Sequence, residues 1–118
     1  MAFKFENLQV WQKALDLTDE INILTKTAFP KDELFILTAQ IKRAADSVVL
    51  NIAEGCTGQT NAVFKNFLGY SLRSSIEVGA CLFIAKRRMI IKEDDFQRLY
   101  DEYQSLTKMT TALRNTLP

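Results

Sequence analysis

The sequence contains no histidine, and its 118 residues include only two cysteines, two prolines and four glycines. The missing histidine excludes the commonest general base and the commonest ligand of catalytic zinc or iron. The cysteines, Cys56 and Cys81, lie 25 residues apart without a second pair, so neither a zinc knuckle nor a CxxC redox motif can form. We therefore expect two free thiols, no metal site, no cofactor and no catalytic residues.

The chain also has little net charge and no long apolar run. Its formal net charge is +1, so no overall field attracts it to nucleic acid or to a membrane surface. The N-terminus lacks the apolar stretch of a signal peptide, and no run approaches the ~18 apolar residues of a membrane span. These absences predict a cytoplasmic protein without membrane segments. The length suits one domain, residues 1–118, with a single hydrophobic core.

Apolar residues recur at spacings of three and four along four segments, which is the period of an amphipathic α-helix. The predicted helices cover residues of about 8–28, 32–55, 61–88 and 93–116. Phe29-Pro30 ends the first helix, because proline disfavours the α conformation of the residue before it. No segment shows strand alternation, and the connections are short. The sequence therefore predicts an all-α, antiparallel, up-down-up-down four-helix bundle.

The second helix carries an inward stripe at spacings of three and four: Leu34, Leu37, Ile41, Ala44, Val48, Asn51 and Gly55. We expect Gly55 to cap its end in the left-handed conformation. A polar line runs beside the stripe and is expected to meet two charged residues of the third helix. The six members of this predicted network are Arg43, Ser47, Asn51, Glu54, Arg73 and Glu77.

That predicted network has two interpretations. It could be an active site built from carboxylates and a cation, or a hydrogen-bonded set that fixes helix register or a subunit contact. We favour the structural interpretation, because no nucleophile–base pair accompanies the residues. A di-iron site in a bundle needs Glu-x-x-His on two helices, and the absence of histidine excludes it.

The third helix is apolar or small on nearly every side. Between Asn66 and Lys86 its only charged residues are Arg73 and Glu77. Because a helix that is apolar all round is buried all round, the sequence predicts a contact with another subunit in addition to the core. We expect Leu72, Ile76 and Phe83 to form this oligomer contact.

The positive charge is concentrated at the end of the third helix. Residues 61–92 contain six Lys and Arg against one Glu, and four of these cations are Lys86, Arg87, Arg88 and Lys92. The cluster could bind phosphates of RNA or DNA, or its cations could simply complement the negative end of the helix dipole. No aromatic residues are interleaved with it, which favours the dipole interpretation.

Four stretches, in this order, resemble the small four-helix bundle protein family: 8–14 (Leu-Gln-Val-Trp-Gln-Lys-Ala), 29–33 (Phe-Pro-Lys-Asp-Glu), 40–47 (Gln-Ile-Lys-Arg-Ala-Ala-Asp-Ser) and 51–55 (Asn-Ile-Ala-Glu-Gly). That family includes proteins encoded by intervening sequences of bacterial large-subunit ribosomal RNA genes and the accessory variability protein of diversity-generating retroelements. The resemblance implies a homopentameric barrel and, for the retroelement member, binding to nucleic acid and to a reverse transcriptase.

This chain departs from the family pattern at two single positions and in the charge of one loop. The family often has Arg-Arg before the paired alanines and a proline after the Ser-Ile pair, whereas Lys42 and Val49 stand here. The loop at 56–60 is uncharged where the family is often basic. The uncharged loop argues against nucleic-acid binding by analogy with the retroelement member. From the resemblance as a whole and the absence of catalytic motifs, we expect a non-enzymatic scaffold or adaptor, with RNA, DNA or a nucleic-acid-processing protein as candidate partners. A protein-interaction module without a nucleic-acid role is the alternative, and an enzyme or small-ligand protein is the third class.

Overall fold

The computed structural model describes residues 3–118 and shows four α-helices. They are α1 (Gln9–Ala28), α2 (Ala39–Gly55), α3 (Asn61–Arg87) and α4 (Glu93–Thr116). A short 3-10 helix, Lys4–Asn7, precedes α1, and no strand occurs anywhere between residues 3 and 118. The predicted all-α fold of four helices is confirmed.

One hydrophobic core runs along the bundle and receives the apolar stripe of every helix. The most extensive helix contact joins α2 to α3, whereas α1 and α4 meet over a smaller area. Ion pairs flank that smaller contact, where Lys13 Nζ lies 2.8 Å from Glu102 Oε2 and Arg98 pairs with Glu20. The fully buried side chains include Leu17, Ile41, Ile52, Leu68, Leu82 and Leu106.

The second helix begins later than the predicted residue 32. After Pro30 the chain forms a 3-10 turn over Lys31–Glu33 and a π-helical turn over Leu34–Thr38, and α2 starts only at Ala39. A π-helical turn holds one residue more than an α-helical turn, so it displaces the side chains before it from the stripe of α2. As a result Leu34, which the sequence placed in the inward stripe, is 50% exposed. Leu34, Phe35 and Ile36 together form an exposed apolar turn, called the Leu34–Ile36 segment below.

Gly55 does not have the left-handed conformation that the sequence predicted. It is the last residue of α2, and among the described glycines only Gly58 has a positive φ, of 85°. Glycine is needed at position 55 because α3 passes very close. A Cβ atom added to Gly55 would lie 2.5 Å from Cβ of Phe67 and 3.1 Å from Cδ1 of Phe64. The residue therefore sets how closely α2 and α3 approach each other.

α3 is capped by Thr60, whose Oγ1 accepts a hydrogen bond from the backbone N–H of Val63 at 3.1 Å. On its inner side Ser71 donates from Oγ to the carbonyl of Val48 on α2, at 3.0 Å in a buried position. This bond satisfies a hydroxyl that would otherwise be costly to bury.

α3 is long and apolar enough to cross a membrane, judged by length and composition alone. The core helix of a helical bundle meets the same criteria. The sequence had predicted no membrane-spanning segment. The two results differ because the sequence-based prediction required an uninterrupted apolar run, whereas a hydropathy averaged over 18 residues allows isolated charges such as Arg73 and Glu77. Of the 18-residue apolar stretch of α3 that meets these criteria, 33% is buried inside the chain.

Candidate functional site

The outward side of α3 remains open in the protomer. We call Tyr70, Ile76, Phe83 and Ile84 the α3 outer face. All four side chains are exposed, Ile76 to 68% and Phe83 to 51%. Leu72, the remaining member of the predicted oligomer contact, is half-buried. The inner side packs into the core through Leu68, Val78 and Leu82. Within this chain α3 is therefore buried on one side only, and the burial all round that the sequence predicted is not found in a single chain.

A groove runs beside this face, between α3 and α4. It has a volume of about 350 Å³ and is lined by Ile76, Gly79 and Phe83 on α3 and by Tyr100, Gln104 and Thr107 on α4, among others. A Cβ atom added to Gly79 would meet nothing within 4 Å, so the floor of the groove is open at this position. We call this feature the α3–α4 groove.

Three aromatic rings, those of Phe83, Phe96 and Tyr100, pack together at one end of the groove. The ring centroid of Phe83 lies 4.8 Å from that of Phe96 and 5.4 Å from that of Tyr100, edge to face in both pairs. Phe96 and Tyr100 are themselves stacked at 5.4 Å. The ammonium of Lys86 lies 4.4 Å from the centroid of Phe96, a cation–π geometry. Aromatic residues of α4 therefore do lie next to the cationic cluster, although they are not interleaved with its cations along the sequence.

The basic cluster at the end of α3 is partly neutralised. Lys86 Nζ lies 3.1 Å from Glu93 Oε2, and Arg88 Nη1 lies 3.3 Å from Glu33 Oε2. Arg87 and Lys92 are exposed, and neither has an ion-pair partner within residues 3–118. Both interpretations of the cluster stay open, because exposed ion pairs are weak and can exchange for a phosphate.

The cluster borders a second depression of about 780 Å³. Phe83, Ile84, Lys86, Arg87 and Arg88 line it, so its wall is both apolar and cationic. It adjoins the α3 outer face, since Phe83 and Ile84 belong to both surfaces. The two sites that the sequence predicted separately, an oligomer contact and a cationic patch, are therefore neighbours.

The turn after α3 holds the cluster in place through an unusual residue. The backbone N–H of Ile90 donates to the carbonyl of Ala85 at 2.8 Å, and that of Met89 donates to the carbonyl of Lys86 at 3.0 Å. This is a Schellman motif, which places Met89 at φ 60° in the position that glycine normally takes. Nothing in the sequence signals it, because Met rarely adopts a positive φ.

The six residues of the predicted polar network are not brought into one network. Asn51 Nδ2 donates to the carbonyl and the hydroxyl of Ser47 at 2.8 and 3.0 Å, and Ser74 Oγ lies 3.0 Å from Ser47 Oγ. Glu77 instead accepts from Gln40 Nε2 at 2.7 Å.

The remaining three members of that predicted network, Arg43, Glu54 and Arg73, are exposed. The helical period explains the first two, because positions 43 and 54 lie about 60–80° around the helix from position 51, towards solvent. The guanidinium of Arg73 lies 6.0 Å from the ring centroid of Tyr70.

The two cysteines do not form a disulfide. Cys56 and Cys81 are free thiols, and burial raises the pKa of each, with a further rise at Cys81 from the Glu77 carboxylate. A raised pKa lowers the fraction of each thiol that is present as the nucleophilic thiolate. In the part of the chain that the structure describes, no group of three His, Cys, Asp or Glu residues could hold a metal ion.

Tyr103 is the most strongly perturbed titratable group. Burial raises its pKa well above the ordinary value, and the carboxylates of Glu20 and Asp46 raise it further. Its hydroxyl is buried and has no hydrogen-bond partner among residues 3–118. Because both neighbouring carboxylates are negative, they disfavour the phenolate and do not activate the hydroxyl.

Comparison with known proteins gives one family and one fold. A family model described as 23S rRNA-intervening sequence protein matches residues 6–112. A crystal structure of a protein of unknown function from the S23 ribosomal protein family of Bacteroides thetaiotaomicron VPI-5482 superimposes with a TM-score of 0.82. The two sequences are 24% identical, and the alignment covers 89% of this chain and 97% of the other, which shows a shared fold. No curated protein matches the chain.

Proposed function

Because this chain belongs to the 23S rRNA-intervening sequence protein family, we propose that it is a non-enzymatic scaffold or adaptor that assembles as a homopentameric barrel. In this proposal each protomer is an antiparallel up-down-up-down bundle. The α2–α3 contacts support that topology, because Gln40 bonds Glu77 near the start of α2 while Gly55 at its end approaches Phe67. The family match confirms the resemblance that the motifs indicated.

The observation that carries the proposal is the exposure of the α3 outer face. Ile76 and Phe83 place large apolar side chains in water on a helix whose other side is in the core. Contiguous exposed apolar patches of a few hundred Å² mark interaction sites in soluble proteins. A second copy of the chain is the proposed occupant, with Leu72, Ile76 and Phe83 in the contact.

The test is the mass of the assembly in solution. Light scattering coupled to size exclusion is expected to give a pentamer for the wild-type chain and a smaller species for Ile76→Glu. Ile23→Glu is the matched control, because Ile23 is 60% exposed on α1 and the substitution is the same. A wild-type monomer, or an Ile76→Glu assembly of unchanged mass, would refute the proposed contact.

A second function, contact with RNA or DNA, is favoured by Arg87 and Lys92. These two exposed cations lack ion-pair partners within residues 3–118, and Arg87 borders the apolar and cationic depression. In a ring each patch recurs once in every protomer, so weak sites act together on one long polymer. The family description itself names a ribosomal RNA intervening sequence. The candidate patch remains Lys86, Arg87, Arg88 and Lys92.

Fluorescence anisotropy with labelled RNA and DNA over a salt series tests this second function. We expect binding that weakens with salt, and a salt slope that falls by about 0.7–0.9 for each phosphate that Arg87→Ala/Lys92→Ala no longer neutralises. Lys42→Ala/Lys108→Ala removes the same charge from exposed positions elsewhere and is expected to leave the slope unchanged. An equal weakening in both variants, or no binding at low salt, would leave a protein-interaction module as the function.

A further inference from the structure

A ring with an odd number of subunits needs two different contact surfaces on each protomer. When a surface meets its own copy the contact is two-fold symmetric and closes at a dimer, whereas a ring forms when one surface meets a different one on the next subunit. The α3 outer face and its groove provide one surface. The proposed pentamer therefore implies a second apolar surface that fits it.

The Leu34–Ile36 segment is the strongest apolar feature that lies off α3. Phe35 is 89% exposed, and Leu34 and Ile36 are both exposed beside it. The segment belongs to the π-helical turn before α2, whereas α3 and α4 alone line the groove. Protrusion and groove thus lie on different elements, as a contact between unlike surfaces requires. π-helical turns are rare and occur frequently at functional sites.

The groove is large enough for an aromatic side chain. Its volume of about 350 Å³ is roughly ten times the ~30 Å³ that one water molecule occupies in the liquid. Its walls suit an aromatic ring, because Phe83 and Tyr100 offer ring faces and edges and Gly79 leaves the floor open.

The two surfaces also match in area. A whole aromatic side chain has an area of ~150–250 Å². When areas of this size are multiplied by the exposed fractions of the side chains, the segment and the α3 outer face each display on the order of 300 Å² of apolar surface. The groove itself contains the Ile76 and Phe83 part of the α3 outer face. Complete coverage of both surfaces would remove on the order of 600 Å² from water. That is close to the apolar part of an interface of about 1,200 Å², the lower limit for stable complexes. A contact of the α3 face with itself would leave the segment in water.

From these observations we infer that the Leu34–Ile36 segment of one protomer inserts Phe35 into the α3–α4 groove of the next copy of this chain. The inference rests on the proposed homo-oligomer and specifies which surface meets α3. It makes Phe35 the central anchor of every contact in the ring, and it gives the π-helical turn a function, which is to hold that side chain away from the core.

The first test compares two exposed apolar residues of equal exposure. Phe35→Ser is expected to raise the protein concentration at which half of the chains are assembled on the order of 10- to 100-fold, with unchanged helical circular dichroism. Met89 is also 89% exposed, and asparagine tolerates its positive φ, so Met89→Asn is the matched control and is expected to assemble like the wild type.

The second test links the two surfaces covalently while keeping Phe35. Cys56→Ser and Cys81→Ala first remove the native thiols. Ile36→Cys/Gln104→Cys is then expected to give a ladder of disulfide-linked chains on a denaturing gel without reductant. Ile36→Cys/Thr111→Cys is the control, because Thr111 lies on the same face of α4 about 10 Å further along. That variant is expected to stay monomeric on the gel.

The outcomes separate this inference from the proposal on which it rests. A wild-type chain that is monomeric overturns both. An assembled wild type whose mass and stability are unaffected by Phe35→Ser, with no ladder from Ile36→Cys/Gln104→Cys, overturns the insertion of Phe35 alone. Disulfides that form between two Ile76→Cys chains while Ile36→Cys/Gln104→Cys stays unlinked would show that like faces meet, which also overturns it.

Discussion

Replacing Gly55 by alanine tests whether the approach of α2 to α3 depends on the missing side chain. The added Cβ would lie 2.5 Å from Cβ of Phe67, closer than real Cβ contacts come, and 3.1 Å from the ring of Phe64. The first of these atoms is fixed to the backbone of α3, so a rotamer change at Phe67 cannot relieve the contact. The two helices have to separate at this end of the core.

The expected size of the effect follows from two opposing terms. Overpacking a well-packed contact costs about 1–3 kcal/mol, and alanine gains at most about 1 kcal/mol over glycine in helix propensity. The free energy of unfolding is therefore expected to fall by about 1–2 kcal/mol. For a chain of 118 residues this corresponds to a fall in Tm of about 3–10 °C.

The assay is urea unfolding followed by circular dichroism at one fixed protein concentration, because the stability that association adds depends on concentration. Gly69→Ala is the control, since its Cβ would meet only the guanidinium of Arg114, at the ordinary contact distance of 3.7 Å. That variant is expected to be more stable than the wild type by up to about 1 kcal/mol. A Gly55→Ala protein as stable as the wild type would refute the close-approach argument.

Three further substitutions test single features of the fold. Met89→Gly is expected to raise the free energy of unfolding by about 0.5–1 kcal/mol, because glycine adopts the positive φ without strain; an unchanged urea midpoint would contradict this. Ser71→Ala is expected to lower it by about 0.5–1.5 kcal/mol, because it removes the buried hydrogen bond from Ser71 on α3 to the carbonyl of Val48 on α2; Ser74→Ala, at a half-buried position, is the comparison. The third, Tyr103→Phe, concerns alkaline pH. Because burial raises the pKa of Tyr103 in the folded state, the folded protein holds this proton more tightly than the unfolded chain, whose tyrosine pKa is about 10. The stabilisation is complete below pH ~10 and disappears as pH rises towards the folded pKa. Tyr103→Phe is expected to abolish that alkaline dependence and, since the hydroxyl has no partner, to cost little at neutral pH. The pH dependence of urea unfolding for both proteins measures it, and equal alkaline slopes would contradict it.

Apolar periodicity and chain breakers allowed most of the helical architecture to be predicted. The ends predicted for the first, third and fourth helices lie within one residue of those in the structure, because proline, a threonine cap and a run of carboxylates mark them. The start of the second helix was wrong. A π-helical turn has no sequence signature, although four consecutive apolar residues, Leu34–Leu37, are more than one face of a helix can bury.

The sites were harder to predict because they depend on which helices are neighbours. The polar line of α2 could be read from the spacing, but its contacts with α3 could not. Ser47 of the line bonds Ser74, whereas Glu77, the expected partner on α3, bonds Gln40, which lies outside the line. Likewise, Gly55 was correctly marked as special but for the wrong reason, since a close approach to Phe67 leaves no trace in a single sequence. The groove between α3 and α4 needs both helices in place before it exists.

The unequal helix contacts also bear on how the chain folds. α2 and α3 share the most extensive contact and are joined by a loop of only a few residues, so pairing them costs little loop entropy. α1 and α4 share a much less extensive contact than α2 and α3 do, and they stand far apart along the chain. The α2–α3 hairpin is therefore the expected folding nucleus, with φ-values near ~0.5–0.8 at Ser71 and near ~0–0.3 at the α1–α4 contact. Low φ-values at Ser71 would show that the hairpin forms late. If it forms first, the nascent hairpin already carries the Phe35 protrusion and the α3 face, yet association has to wait for α4, because the groove exists only once α4 has docked.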